Sequence, residues 1–117
     1  MSFPEAVATV KKAMGEEGFG ILTEIDVKAT LQKKLGVEYD NYVILGVCNP
    51  PFAYKALQSE KEVWLLLPCN VIVYEENGEV AVSAILPTVA MSMMENQDLR
   101  EIAREAERKL KRAIDTI

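Results

Sequence analysis

Both cysteines of the chain lie in two short segments, Cys48-Asn49-Pro50-Pro51 and Leu67-Pro68-Cys69-Asn70, and each is followed at once by an asparagine. Each segment sits at one end of an apolar run. If the two runs form neighbouring strands, the thiols and the amides converge on one spot, which makes Cys48, Asn49, Pro50, Pro68, Cys69 and Asn70 the first candidates for a site. Paired thiols support redox exchange, nucleophilic attack or ligation of a soft metal. In a dimer, two such pairs add up to the tetrathiolate set that zinc takes. Against this stands the ordinary behaviour of free cysteine as a small buried hydrophobe. The spacing also matches neither a redox Cys-X-X-Cys nor a paired zinc-ribbon signature. The amides can orient a carbonyl or carboxylate, whereas Asn49 before Pro50 reads more simply as a turn. Asn70 opens a strand, where asparagine is disfavoured, so it has the greater need of a reason.

Glu24 and Asp26 form a secondary pair of candidates. Two apart on a strand, they share a face and can bind a cation or exchange a proton. The simpler reading is that Asp26 caps the next helix while Glu24 faces water beside a lysine. Met91, Met93 and Met94 offer thioethers to Cu(I), but in a short apolar segment they serve as adaptable packing, here at a dimer contact. Trp64, Tyr42, Phe52 and Tyr54 fit either a pocket near Cys48 or a core.

The elements that must position these residues follow from periodicity. Ser2-Phe3-Pro4-Glu5 is a capping box, and Phe3, Val7, Val10 and Met14 recur at helical spacing until Gly18. Phe19 to Ile25 reads as a strand with Phe19, Ile21, Thr23 and Ile25 on one face. Asp26 then caps a short helix striped by Val27, Leu31 and Leu35 and closed by Gly36. Tyr42 to Val47 is a continuous apolar strand that ends at Cys48, because Pro50 and Pro51 cannot donate to a ladder and instead open a helix to about Leu57. Glu62 to Leu67 reads as a helical turn. Asn70 to Glu75 and Glu79 to Ile85 form a hairpin around Asn77-Gly78. A short apolar helix covers Pro87 to Met94. A long final helix carries the stripe Leu99, Ile102, Ala103, Ala106, Leu110, Ala113, Ile114 and Ile117, with Glu105–Lys109 and Glu107–Lys111 pairs on its other side. The expected fold is α+β, a single small, largely antiparallel sheet packed with helices, in one domain spanning 1–117.

Composition narrows the function classes. With 13 Lys and Arg against 18 Asp and Glu, the net charge of −5 argues against nucleic-acid partners, which need clustered cations. The chain holds no histidine, so Ser-His and Cys-His nucleophile pairs are impossible within it. No apolar run approaches the roughly 20 residues that span a bilayer, so no membrane association is expected. The N-terminus lacks the basic-then-apolar order of a signal peptide. A cytoplasmic location is therefore expected, with the cysteines resting as thiols.

Gly18-Phe19-Gly20-Ile21-Leu22-Thr23-Glu24-Ile25-Asp26-Val27, Leu45-Gly46-Val47-Cys48-Asn49-Pro50-Pro51 and Leu66-Leu67-Pro68-Cys69-Asn70 resemble the DUF302 family, with Ala84-Ile85-Leu86-Pro87 following in the expected order. The resemblance extends from Ser2 to Ile114. It implies a TT1751-like α+β domain of uncharacterised activity that self-associates as a homodimer. Members usually carry a strand before the first helix; here the chain begins at the helix, which implies an open sheet edge. Three functions fit these observations. The leading one is a small-ligand or metal-binding homodimeric module built around Cys48, Asn49, Cys69 and Asn70. The second is a thiol-dependent enzyme or redox protein using Cys48 and Cys69, and the third a protein-interaction domain with no small-molecule site. Neither a cofactor nor a specific ligand is identified by any motif.

Overall fold

The computed structural model describes residues 1–117. Helix α1 (Phe3–Glu16) starts where expected, with Ser2 Oγ accepting from Glu5 N at 3.2 Å, and stops before Gly18, whose φ of +84° places it in the left-handed region. Strand β1 (Gly20–Asp26) runs into helix α2 (Val27–Leu35), capped by Asp26, whose carboxylate accepts from Ala29 N at 2.9 Å. Strand β2 (Tyr42–Cys48) breaks at Asn49 into helix α3 (Pro50–Ser59) and a 3-10 turn (Lys61–Leu65). A cis Leu67–Pro68 peptide leads into strand β3 (Cys69–Glu76), which hairpins through Asn77-Gly78 into strand β4 (Glu79–Ala84). The apolar segment after β4 divides into a four-residue helix α4 (Pro87–Ala90) and a 3-10 turn (Met91–Met93). Helix α5 (Gln97–Asp115) closes the chain.

The four strands form one antiparallel sheet in the order β1-β2-β3-β4, so β1 and β4 are its edges. Directly paired residues share a face. Val43, Leu45 and Val47 of β2 pair with Val73, Val71 and Cys69 of β3, and all six are buried under α1 and α5 among Val10, Met14 and Leu110. A second cluster, Ala56, Val63, Met91, Leu99 and Ala103, lies between α3, the turns and the start of α5. The opposite sheet face carries Thr23, Ile25, Tyr42, Ile44, Gly46, Asn70, Ile72, Tyr74 and Ala81, of which only Gly46 is buried. Tyr42 and Tyr74 stack there at 5.5 Å.

Two expectations change. The predicted single face Phe19-Ile21-Thr23-Ile25 is interrupted by a register shift between Ile21 and Thr23, so Ile21 joins the core side opposite Val47 while Thr23 and Ile25 turn to the other side. An inserted residue reverses the alternation of everything beyond it. In α5 the Glu107–Lys111 pair forms, but Glu105 pairs with Arg108 instead of Lys109, and Ile117 lies beyond the helix.

Gly46 locks the centre of the sheet. A Cβ there would overlap Thr23 Oγ1 of the neighbouring strand and come within 2.8 Å of Pro68 Cγ. Hydrogen at this position lets both side chains close over β2. Gly46→Ala is expected to destabilise the fold by about 1–3 kcal/mol, the usual cost of overpacking a tight site. Urea unfolding measures it, and an unchanged midpoint would contradict the close approach.

Candidate functional site

The break in β2 and the entry into β3 lie side by side because Val47 pairs with Cys69. Around these strand ends a cavity of about 40 Å³ forms at the seam between the two core clusters. Cys48 and Cys69 line it from the sheet, and Phe52, Ala53 and Ala56 from α3. Leu99, Ile102, Ala103 and Ala106 line it from α5, and Pro87 and Met91 from the segment between. Among its lining side chains Asn49 is the only amide and none is charged. A water needs roughly 10–15 Å³ and several polar partners, so this space has room for only a few heavy atoms and is chemically suited to apolar ones.

Both runs are indeed neighbouring strands, and the thiols do reach one cavity. The amides do not follow. Asn49 lines the cavity and donates from Nδ2 to Glu17 O at the end of α1, a long 3.5 Å bond; its side chain makes no cap for α3. Asn70, one residue past Cys69, pairs with Gly46 and is exposed on the opposite sheet face. The period of two along a strand makes that separation unavoidable. Pro50 is the exposed first residue of α3, and Pro68 packs over Gly46; neither lines the cavity. Glu24 pairs with Lys11 of α1 and Asp26 caps α2, so both carboxylates have structural partners. Of the methionines only Met91 reaches the cavity, while Met93 is 79% exposed. Of the aromatic candidates only Phe52 does so; Tyr42 lies on the open sheet face and Tyr54 is exposed.

The α5 residues of the cavity were legible only as a core stripe. Their signal is size: the stripe places Ala103 and Ala106 where larger side chains would have filled the seam.

Burial governs the chemistry of the thiols. It pushes Cys48 up, and it pushes Cys69 up to about 11, with the neighbouring Cys48 adding to the rise. Thiolate is the reactive and metal-binding form, and at neutral pH almost none is present on such a group. No three side chains among Cys, Asp and Glu come together as a metal set, and two thiols alone fall short of a tetrahedral one. The geometry therefore favours the thiols as soft, neutral walls.

Over residues 1–117 the chain matches the family model described as "Domain of unknown function DUF302". It is similar to the crystal structure of an uncharacterised conserved DUF302 protein from Bacillus stearothermophilus, at 34% sequence identity and a TM-score of 0.90, covering 98% of this chain and 90% of that one. Among curated proteins nothing matches. No helix is long and apolar enough to cross a membrane.

A thiol held near 11 when folded and near its ordinary value of 9.0 when unfolded keeps its proton more tightly in the native state. Its stabilising contribution is present below pH 9 and is lost as pH rises towards 11, by an amount on the order of 2 kcal/mol. Urea midpoints measured from pH 8 to 11 are expected to fall, and Cys69→Ala to remove part of that fall. Native alkylation by iodoacetamide near pH 8 should run at least about tenfold slower than in the unfolded chain at both cysteines. Labelling at the unfolded rate would show an accessible, unperturbed thiol, and labelling faster than that would show an activated one and restore thiolate chemistry.

Proposed function

The chain belongs to the DUF302 family, and on that footing we propose that it binds a small, uncharged, predominantly apolar molecule in the cavity beside Cys48 and Cys69. The observation that carries this reading is the cavity itself, a void at the seam of two otherwise closed cores with a single amide at its rim. At about 24 cal/mol per Å³, leaving 40 Å³ empty costs roughly 1 kcal/mol. A molecule that fills the space recovers that cost and gains contacts, while the Asn49 amide supplies one hydrogen bond for orientation. Neutral thiols and the Met91 thioether present polarizable walls suited to a polarizable ligand of a few heavy atoms.

Titration with xenon under pressure, an apolar probe of the size of this cavity, tests the reading. A ligand bound only by the folded state raises the unfolding temperature with concentration. Ala103→Val narrows the cavity, so this variant is expected to weaken probe binding by about tenfold or more, with unfolding free energy changed by less than about 1.5 kcal/mol. Absence of any probe-dependent stabilisation in the unmodified protein would sink the proposal.

A second reading, self-association, is supported by helix α2. Its Val27-Leu31-Leu35 stripe joins neither core cluster: Val27 and Leu31 are half-buried beside the sheet, Leu35 is exposed, and none of its nine residues is fully buried. Isolated helices shorter than about 12–15 residues are marginal in water. Exposed Leu22, Ile25, Leu35, Val37 and Tyr39 cluster in sequence around this helix and the edge strand β1. A second copy of the chain packed on α2 and the β1 edge supplies the missing support. Sedimentation equilibrium should then show a concentration-dependent dimer, and Leu35→Glu should weaken it by at least about tenfold, the worth of one buried leucine. A protein that stays monomeric at every concentration tested has no such interface.

A further inference from the structure

All four arginines of the chain lie on α5 at four-residue steps: Arg100, Arg104, Arg108 and Arg112. The two nearer the C-terminus are neutralised, Arg108 by Glu105 and Arg112 by Glu17 of α1. Arg100 and Arg104 pair with no carboxylate, although the chain holds 18 acidic residues. Like charges four apart on a helix repel. Arg100 is also the fourth residue of the helix, near the end where the backbone dipole disfavours a cation. Neither helix stability nor ion pairing explains the two side chains.

They line a concave surface of about 200 Å³ whose other walls are Thr88 and Ser92, with no apolar residue among the four. The hydroxyls are fixed. Thr88 Oγ1 donates to Glu107 Oε1 at 2.7 Å, and Ser92 Oγ donates to Val89 O at 2.6 Å. With their protons so committed, both oxygens are left as acceptors, and the donors available to a ligand are the two guanidinia. Glu107 is the one carboxylate bonded to this wall. Its charge is matched by Lys111, and its Oε1 also accepts from Thr88 N. Two guanidinia whose Cβ atoms stand about 5–6 Å apart along one helix face can both fork onto one tetrahedral anion, each through two parallel N–H donors.

We propose that Arg100 and Arg104, in the cleft completed by Thr88 and Ser92, bind a phosphate group, either free phosphate or the phosphate of a small monoester. The dianion supplies the two negative charges that the pair lacks. The cleft is built from α4, the 3-10 turn and α5, which also contribute Pro87, Met91 and Ala103 to the apolar cavity, but the two lining sets share no residue. The phosphate site accordingly stands or falls independently of the apolar one.

The test follows the arginine Nε–Hε signals in a proton–nitrogen correlation spectrum of the intact chain. Inorganic phosphate, glycerol 3-phosphate and acetate are titrated at ionic strength matched with sodium chloride. Saturable shifts confined to Arg100 and Arg104 are expected with phosphate. Arg100→Gln and Arg104→Gln should each weaken binding by about tenfold, and Arg108→Gln should leave it within twofold. Tighter binding of glycerol 3-phosphate assigns the site to monoesters, and equal or weaker binding assigns it to free phosphate. Shifts spread evenly over all four arginines, acetate binding as well as phosphate, or equal loss in Arg108→Gln would each overturn the proposal.

Discussion

The antiparallel register of β2 against β3 is the constraint on which the rest of the molecule depends. It sets Val43, Leu45 and Val47 against Val73, Val71 and Cys69 on a single side, and that side is the only one buried by α1 and α5. A slip by one residue would move this whole set to the open face and bring Ile44, Gly46, Asn70 and Ile72 into the core. Gly46 enforces the register from the other side. Because it has no Cβ, Thr23 and Pro68 close over it, tying the edge strand, the central strand and the entry to β3 together at a single point. The cysteine-bearing strand ends meet because that point lies one residue from Val47 and Cys69.

The same alternation decides what kind of site the strand ends can form. Adjacency of the two thiols was legible in the sequence, since both close apolar runs that become adjacent strands, but their convergence was not: Cys69 pairs with Val47, and Cys48 reaches the same cavity as the terminal residue of β2. Convergence of the two amides was not available to any register, because Cys69 and Asn70 are neighbours on one strand and must face opposite ways. Asn49 escapes that rule only because β2 has already broken at the prolines, leaving its side chain free to reach the carbonyl of Glu17. The caps and turns were legible for a related reason. Ser2, Asp26, Gly18 and Asn77-Gly78 act through local bonds or local backbone conformation, which sequence spacing specifies directly. The register shift in β1 has no such local marker, and it alone decides that Ile21 and Ile25 lie on different faces.

Helix α5 shows how one amphipathic stripe can serve two cores at once. Leu110 and Ala113 complete the cluster under the sheet, while Leu99 and Ala103 complete the cluster against α3 and the following turn. Between those two contacts the stripe holds Ala103 and Ala106, and the seam above them is the cavity. Periodicity reveals that these positions face inward but says nothing about whether the opposing surfaces meet. That depends on the distance between α3 and α5, a tertiary quantity. The void and the closed cores are thus products of the same stripe, distinguished only by side-chain size.

Depth in the seam also separates the thiols from the chemistry their residue type suggests. A thiolate needs a dipole, a cation or water beside it, and these thiols have apolar side chains and each other. The uncommitted cations Arg100 and Arg104 lie in a cleft that shares no residue with the cavity. Charge and sulfur therefore occupy separate linings. A nucleophilic thiol would need them together; here the apolar lining instead favours the protonated form of Cys48 and Cys69.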